Sequence, residues 1–182
     1  MISVCIATYN GEKYIKAQLD SIMEQLGFED EVIISDDGSE DKTKEIVLSY
    51  GDDRIHLIQN LKEHGYTKNF ENSLEHAKGD YIFISDQDDV WKSNKVERCL
   101  EALKTSEIVI HDAEVTNERL ETIAKSHFKK YNVKPGFWKT IIRTRYTGAC
   151  MAFTKRFKEI SLPFPKNQVL CPYDYWLAYL GF

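Results

Sequence analysis

The sequence predicts an α/β protein: a mostly parallel sheet flanked by helices, followed by a smaller region. Three observations carry this. Short apolar runs alternate with stretches of helical period through the first two-thirds of the chain. The runs Ile33-Ile34 and Ile82-Phe83-Ile84 are continuous, as in parallel strands buried on both faces. Acidic residues gather directly behind those two runs, at Asp36-Asp37 and at Asp86, Asp88 and Asp89, where open α/β sheets bind ligands.

In order along the chain, Ile2 to Ala7 reads as a strand. Ile15, Leu19, Ile22, Met23 and Leu26 then recur on one face of a helix. Glu31 to Ser35 is a second strand, and a helix follows to about Tyr50. Ile55 to Ile58 is a third strand, with Phe70, Leu74 and Ala77 marking the next helix. Tyr81 to Ser85 is a fourth strand. Val96, Cys99, Leu100 and Leu103 give another helical face, and Ile108 to Ile110 a fifth strand.

After Asp112 the rhythm changes. Asn117 to Lys130 is polar and weakly patterned, and Pro135-Gly136 is a break. Trp138, Ile141 and Ile142 suggest a short helix, and Ala149 to Phe153 a strand. Pro163, Pro165 and Pro172 punctuate a loop before a helix over Asp174 to Leu180. The expected division is a core over residues 1–112 and a second region over 113–182. The stop soon after the last helix begins reads as a chain truncated at its C-terminus.

The 182 residues are 42% hydrophobic and 29% charged, which suits a packed soluble domain. A net charge of −5 with dispersed Lys and Arg argues against nucleic acid as a partner. Lys139, Arg143 and Arg145 form a modest basic cluster, read as a solvated face or as a contact with phosphate or an anionic membrane surface. Cys5, Cys99, Cys150 and Cys171 lack zinc-ligand spacing, and the first two read as small core residues in a reducing compartment. Met1 leads straight into a strand and no stretch is long enough to span a bilayer, so a cytoplasmic protein is expected, with peripheral membrane contact at most.

Four segments bear on chemistry. Thr8-Tyr9-Asn10-Gly11-Glu12 follows the first strand; alone it reads as a strand-to-helix turn. In Asp36-Asp37-Gly38-Ser39-Glu40-Asp41, Ser39 or Asp41 suits a helix N-terminus, but capping does not explain two adjacent carboxylates at the strand end. A carboxylate there can accept from a pyrimidine N–H or from ribose hydroxyls. Asp86, Asp88 and Asp89 repel one another, and a hard divalent cation with an anionic ligand relieves that repulsion. In Tyr173-Asp174-Tyr175-Trp176, Asp174 either caps the last helix or serves as a general base made stronger by its apolar neighbours. Trp91, Trp138 and Trp176 suit either sugar stacking or packing.

Taken together and in this order, these segments resemble the family-two glycosyltransferases of the GT-A (Rossmann-like) fold. The likeness rests on Thr8 to Glu12, Ser35 to Ser39, and Ala77-Lys78-Gly79-Asp80-Tyr81-Ile82 leading into Asp86-Gln87-Asp88-Asp89-Val90-Trp91. The last segment resembles the bacterial branch that builds surface polysaccharides, rhamnosyltransferases among them. The resemblance implies roles. Thr8, Asn10 and Glu12 line a nucleotide pocket; Asp37, with Asp36, binds the base; Lys68 or Asn69 contacts the nucleotide. Asp86, with Gln87 beside it, lies near the ribose and the metal, and Asp88 ligates Mn2+ or Mg2+ at the diphosphate. Trp91, Thr147, Gly148 and Tyr173 shape the sugar and acceptor pocket, and Asp174 is the catalytic base. Family members often carry His before that base, where this chain has Tyr173.

The implied reaction moves a sugar from a UDP- or dTDP-sugar to a hydroxyl of a glycan or lipid-linked glycan, inverting the anomeric centre. Two other readings stand beside it. Asp86-Gln87-Asp88-Asp89-Val90 also fits the nucleophile motif of haloacid-dehalogenase-like phosphatases, though on the fourth strand and without a later acidic pair. A truncated domain that binds a nucleotide sugar without turnover is the other.

Overall fold

The computed structural model describes residues 1–61, 63–134, 136, 146–166 and 171–181. The helix expected around Trp138, Ile141 and Ile142, and the basic cluster of Lys139, Arg143 and Arg145, lie outside the described residues.

The strands are β1 (Ile2–Thr8), β2 (Glu31–Asp36), β3 (Ile55–Gln59), β4 (Tyr81–Asp86), β5 (Ile108–Ile110), β6 (Val115–Thr116), β7 (Thr122–Ala124) and β8 (Met151–Thr154). The helices are α1 (Ile15–Met23), α2 (Thr43–Leu48), α3 (Tyr66–His76), α4 (Lys95–Leu103), α5 (His127–Lys130), α6 (Lys155–Ser161) and α7 (Tyr173–Leu180). Six strands form one sheet in the order β3-β2-β1-β4-β8-β5. The first four are parallel, and β8 runs antiparallel to both β4 and β5.

Side-chain alternation sorts the core into two layers. Ile2, Val4 and Ile6 of β1, Val32 and Ile34 of β2, and Phe83 of β4 pack beneath α1, α2 and α4. Cys5, Ile33, Ile82 and Ile84 face the other way, toward α3, α6 and α7. Ile15, Leu19 and Ile22 of α1 are fully buried, the face anticipated from their spacing. Burying side chains of this size is worth roughly 1.5–3 kcal/mol each.

The chain beyond Asp112 returns to the sheet, since β8 sits between β4 and β5. Helix α6 falls in a stretch with no anticipated element; Thr154 caps it by accepting from Phe157 N at 3.2 Å. The polar stretch from Asn117 carries β7, which pairs with β6 just ahead of it in a small hairpin, and then α5, which Ser126 caps through Lys129 N at 3.0 Å.

Candidate active site

Parallel register brings the strand tips together. Thr8 pairs with Asp36 across β1 and β2, and Ala7 pairs with Asp86 across β1 and β4. The chain order reverses between β1 and β4, with β2 and β3 on one side of β1 and β4 on the other. Such a switch point leaves a crevice at the carboxyl ends. A cavity of about 690 Å³ lies there, lined by Thr8, Asp37, Asn69, Asp86, Gln87 and Asp88 among others.

The adjacent aspartates part company. Asp36 is turned into the loop, where it accepts from Ser39 N at 2.9 Å, Gly38 N at 3.2 Å, Ser39 Oγ at 2.5 Å and Thr8 Oγ1 at 3.1 Å. It is 2% exposed and does not line the cavity. The expectation that Asp36 helps bind the base therefore gives way to a structural role: its acceptor capacity is spent shaping the turn. Asp37 does line the cavity. Its carboxylate accepts from Asn60 Nδ2 at 2.7 Å and Gly65 N at 2.9 Å, and His64 Nδ1 lies 3.2 Å away. Gly65 has φ of 128°, a conformation that favours glycine, and this aims its N–H at Asp37.

The first loop is tied from both sides. Asn10, with φ of 49°, accepts from Glu40 N at 2.9 Å, and Glu12 accepts from Lys42 N at 3.0 Å. Both side chains thus clamp the β1 loop to the β2 loop rather than line the cavity. Gln87 binds both backbone groups of Tyr9, accepting from its N and donating to its O at 3.1 Å each. A Cβ on Gly11 would run into Gln87. Asn69 donates to Thr8 O at 3.0 Å, while its buried Oδ1 has no hydrogen-bond partner among the described residues. Lys68 pairs instead with the buried Glu71, away from the cavity.

At the end of β4, burial and then the charges of Asp89, Asp88 and Asp174 push the Asp86 carboxyl up to about 7. Burial also raises Asp89, against the pull of Lys95. Among the described residues, no three His, Cys, Asp or Glu side chains group closely enough to hold a metal ion by themselves. Asp86 and Asp88 still fit a hard cation whose coordination is completed by ligand oxygens, because both line the cavity and their repulsion is what a cation offsets.

The acceptor-side residues fare differently. Trp91 is 6% exposed, packs its ring 5.6 Å from that of Phe83, and donates from Nε1 to Ser85 Oγ at 3.2 Å. It is core, as the packing reading of the tryptophans has it, and does not line the cavity as the resemblance implies. Tyr173 is 4% exposed and stands 4.6 Å from the Phe70 ring, so it too packs rather than lines the cavity. Thr147 O accepts from Cys150 N at 3.1 Å, opening the 3-10 turn Gly148–Cys150. Gly148 lies against Tyr173. Pro172 holds the N-cap position of α7, so Asp174 sits within the first turn and is not the cap. Its carboxyl is raised by burial and accepts from Tyr175 N at 2.9 Å. Asp174 is not among the cavity-lining residues, yet its charge reaches Asp86.

Several lining residues escaped the sequence: His64, Gly65 and Tyr66 line the cavity with Tyr9, and the two tyrosines are 59% (Tyr66) and 56% (Tyr9) exposed. Two exposed aromatics among the lining residues offer faces to a planar ring. The one signal for them was the His64-Gly65 step ahead of α3.

The profile of glycosyl transferase family 2 matches residues 3–161. Among curated proteins, the UDP-Glc:alpha-D-GlcNAc-diphosphoundecaprenol beta-1,3-glucosyltransferase WfgD of Escherichia coli is 34% identical over 97 residues, 53% of this chain and 38% of that protein. The dTDP-rhamnosyl transferase RfbG of Shigella flexneri is 38% identical over 106 residues, 54% of this chain and 36% of that protein. The chain thus spans about two fifths of the length of the curated relatives it matches. Among solved structures, TarS 1-349 of S. aureus in complex with UDP has a TM-score of 0.69 at 23% identity, covering 99% of this chain and 55% of that one. The mannosyltransferase PcManGT from Pyrobaculum calidifontis, in complex with GDP-Man and Mn2+, has a TM-score of 0.70 at 22% identity, covering 100% and 52%. Likeness at this identity shows a shared fold.

Proposed function

This chain belongs to glycosyl transferase family 2 and has the GT-A fold, and we propose that it binds a nucleotide-diphosphate sugar at the β1/β4 crevice and transfers the sugar, with inversion, to a hydroxyl of a glycan or lipid-linked glycan. The observation that carries this is the meeting of Asp37, Asp86 and Asp88, from two strand tips, around one cavity. Relatives named as UDP-glucose and dTDP-rhamnose transferases support a pyrimidine nucleotide. Solved neighbours holding UDP or GDP-Man with Mn2+ support a diphosphate and a divalent cation, Mn2+ or Mg2+.

In this reading the nucleotide base lies between Tyr9 and Tyr66, with Asp37 accepting from its ring N–H. Asn60 and Gly65 hold the Asp37 carboxylate in place, so little ordering remains for the ligand to impose. Asn69 Oδ1, without a partner among the described residues, offers an acceptor to the nucleotide. Asp86 and Asp88 would hold the cation, which supplies Lewis-acid stabilisation of the departing diphosphate when bound. Asp174 takes the acceptor proton as the hydroxyl attacks from the face opposite the leaving group, so no covalent enzyme intermediate is needed. The raised Asp174 carboxyl suits a base better than an ordinary aspartate does. Residues 113–182 form the acceptor side, and peripheral membrane contact fits a lipid-linked acceptor. No helix among the described residues is long and apolar enough to cross a membrane.

Thermal shift and calorimetry with UDP, dTDP and GDP, each with and without Mn2+, test the reading. A pyrimidine diphosphate that binds only with the cation, and far more weakly in Asp88→Ala, is expected. Binding without sugar transfer or donor hydrolysis would leave a binding domain alone. Absence of any diphosphate binding would remove the proposal.

A further inference from the structure

The loop after β1 is anchored on two sides, and it changes sides at Tyr9. Asn10 N, Gly11 N and Glu12 N all donate to the segment that leads from β2 into α2, at Ser39 Oγ (2.9 Å), Thr43 Oγ1 (2.7 Å) and Asp41 Oδ2 (2.9 Å). Tyr9 turns the other way. Its N–H and its carbonyl both meet the carboxamide of Gln87, on the turn after β4, at 3.1 Å each. A carboxamide matches that pair in one orientation only, with Oε1 toward the N–H and Nε2 toward the carbonyl. Gly11 completes the fit, since a Cβ there would collide with Gln87 Oε1. Tyr9 and Gln87 both line the cavity, and each polar end of the Gln87 side chain is engaged by Tyr9.

We propose that Gln87 is a positioning residue: it fixes the backbone that carries the Tyr9 ring, and so contributes to nucleotide affinity through Tyr9 rather than by touching the nucleotide or the cation. This rests on the nucleotide reading above, in which the base lies against Tyr9. The base platform and the acidic turn are then one piece, because the residue between Asp86 and Asp88 holds the loop that bears the aromatic ring. A loop set before the ligand arrives loses little freedom on binding. Released from Gln87, Tyr9 would have to be ordered by the nucleotide itself, and affinity would fall.

The test measures UDP binding at saturating Mn2+ for the native protein, Gln87→Ala, Gln87→Met, Tyr9→Ala and the double variant Tyr9→Ala/Gln87→Ala. Gln87→Met keeps bulk over Gly11 and loses both hydrogen bonds. Each Gln87 variant should bind UDP roughly three- to tenfold more weakly, as fits the loss of two partly exposed hydrogen bonds. In the Tyr9→Ala background the same change should do little, since the ring it positions is gone. Binding of inorganic pyrophosphate with Mn2+, which involves no base, should be equal in the native protein and the Gln87 variants. A general loss of structure would lower both ligands alike. Additive effects of Gln87→Ala and Tyr9→Ala put Gln87 in direct contact with the ligand and overturn the proposal, as does a parallel fall in pyrophosphate binding. Full UDP affinity in folded Gln87 variants, or in Tyr9→Ala, overturns it while leaving the diphosphate reading intact. Unfolding of both Gln87 variants makes Gln87 a structural tie and overturns it too. Failure of the native protein to bind UDP with Mn2+ overturns both.

Discussion

Gly148 and Tyr173 fit one another: a Cβ at position 148 would overlap the Tyr173 hydroxyl. The Tyr173 ring is held on its other sides by Phe70 at 4.6 Å, Tyr66 at 6.0 Å and Phe164 at 6.1 Å between ring centres, so it has little room to retreat. Since Tyr173 opens α7 and Asp174 follows it, the missing side chain at 148 helps set where the proposed base stands.

Gly148→Ala should therefore lower kcat by roughly tenfold or more, because displacements near 1 Å at a reacting group cost up to about 10²-fold. Nucleotide affinity should hold. The double variant Gly148→Ala/Tyr173→Ala, which removes the overlapping ring carbons along with the hydroxyl, should recover part of the loss. Steady-state kinetics with a defined acceptor, and a double-mutant cycle, check this. Simple additivity of the two changes would break the link.

Asp36 and Asp37 should separate stability from binding. Asp36→Ala leaves the buried N–H and hydroxyl of Ser39 without their acceptor, removes that of Gly38 N, and should cost about 2–4 kcal/mol in chemical denaturation. Asp37→Ala should leave most stability in place and reduce nucleotide affinity. The reverse pattern would show that the wrong aspartate has been assigned to the base.

Asp174→Asn should reduce turnover by ~10²–10⁴ with nucleotide binding nearly unchanged. The native enzyme should show a matching pH dependence. A base acts only when deprotonated, and burial raises the Asp174 carboxyl, so the acid limb of kcat/KM should lie above the ordinary aspartate value of 3.8. The profile is to be taken at saturating cation, which favours the ionised form of Asp86. A limb at or below 3.8 would point to a different group.

Trp91→Ala should destabilise the protein by about 3–5 kcal/mol, as expected for a buried Trp. Acceptor KM should change little in whatever folded fraction remains. A selective rise in acceptor KM with normal stability would restore the sugar-stacking role.

Strands β2 and β4 were legible because Ile33-Ile34 and Ile82-Phe83-Ile84 are apolar on both faces, a property local to each segment. The seat of β8 was not, because its pairing with β4 and β5 joins residues far apart in the chain. Helix α6 hid behind Lys155, Arg156, Lys158 and Glu159; only Thr154 marked its start. At the site, the acidic turns were legible from charge placed against apolar runs. Which of Asp36 and Asp37 faces the ligand was not read, although strand parity carries a hint: Asp36 shares its parity with Val32 and Ile34, which face α1 and α2. The roles of Asn10 and Glu12 as ties between loops depend on neighbours brought close only by folding.

The antiparallel seat of β8 also governs how the molecule must be made. A polypeptide halted after Asp112 would bare the main-chain edge of β4, a ready template for stray strands. While the protein is being synthesised, that flank stays open until Met151–Thr154 leaves the ribosome. The segment that brings Asp174 toward the cleft is thus preceded by the one that seals the sheet, and cutting the gene between the two regions should yield aggregates rather than a working half.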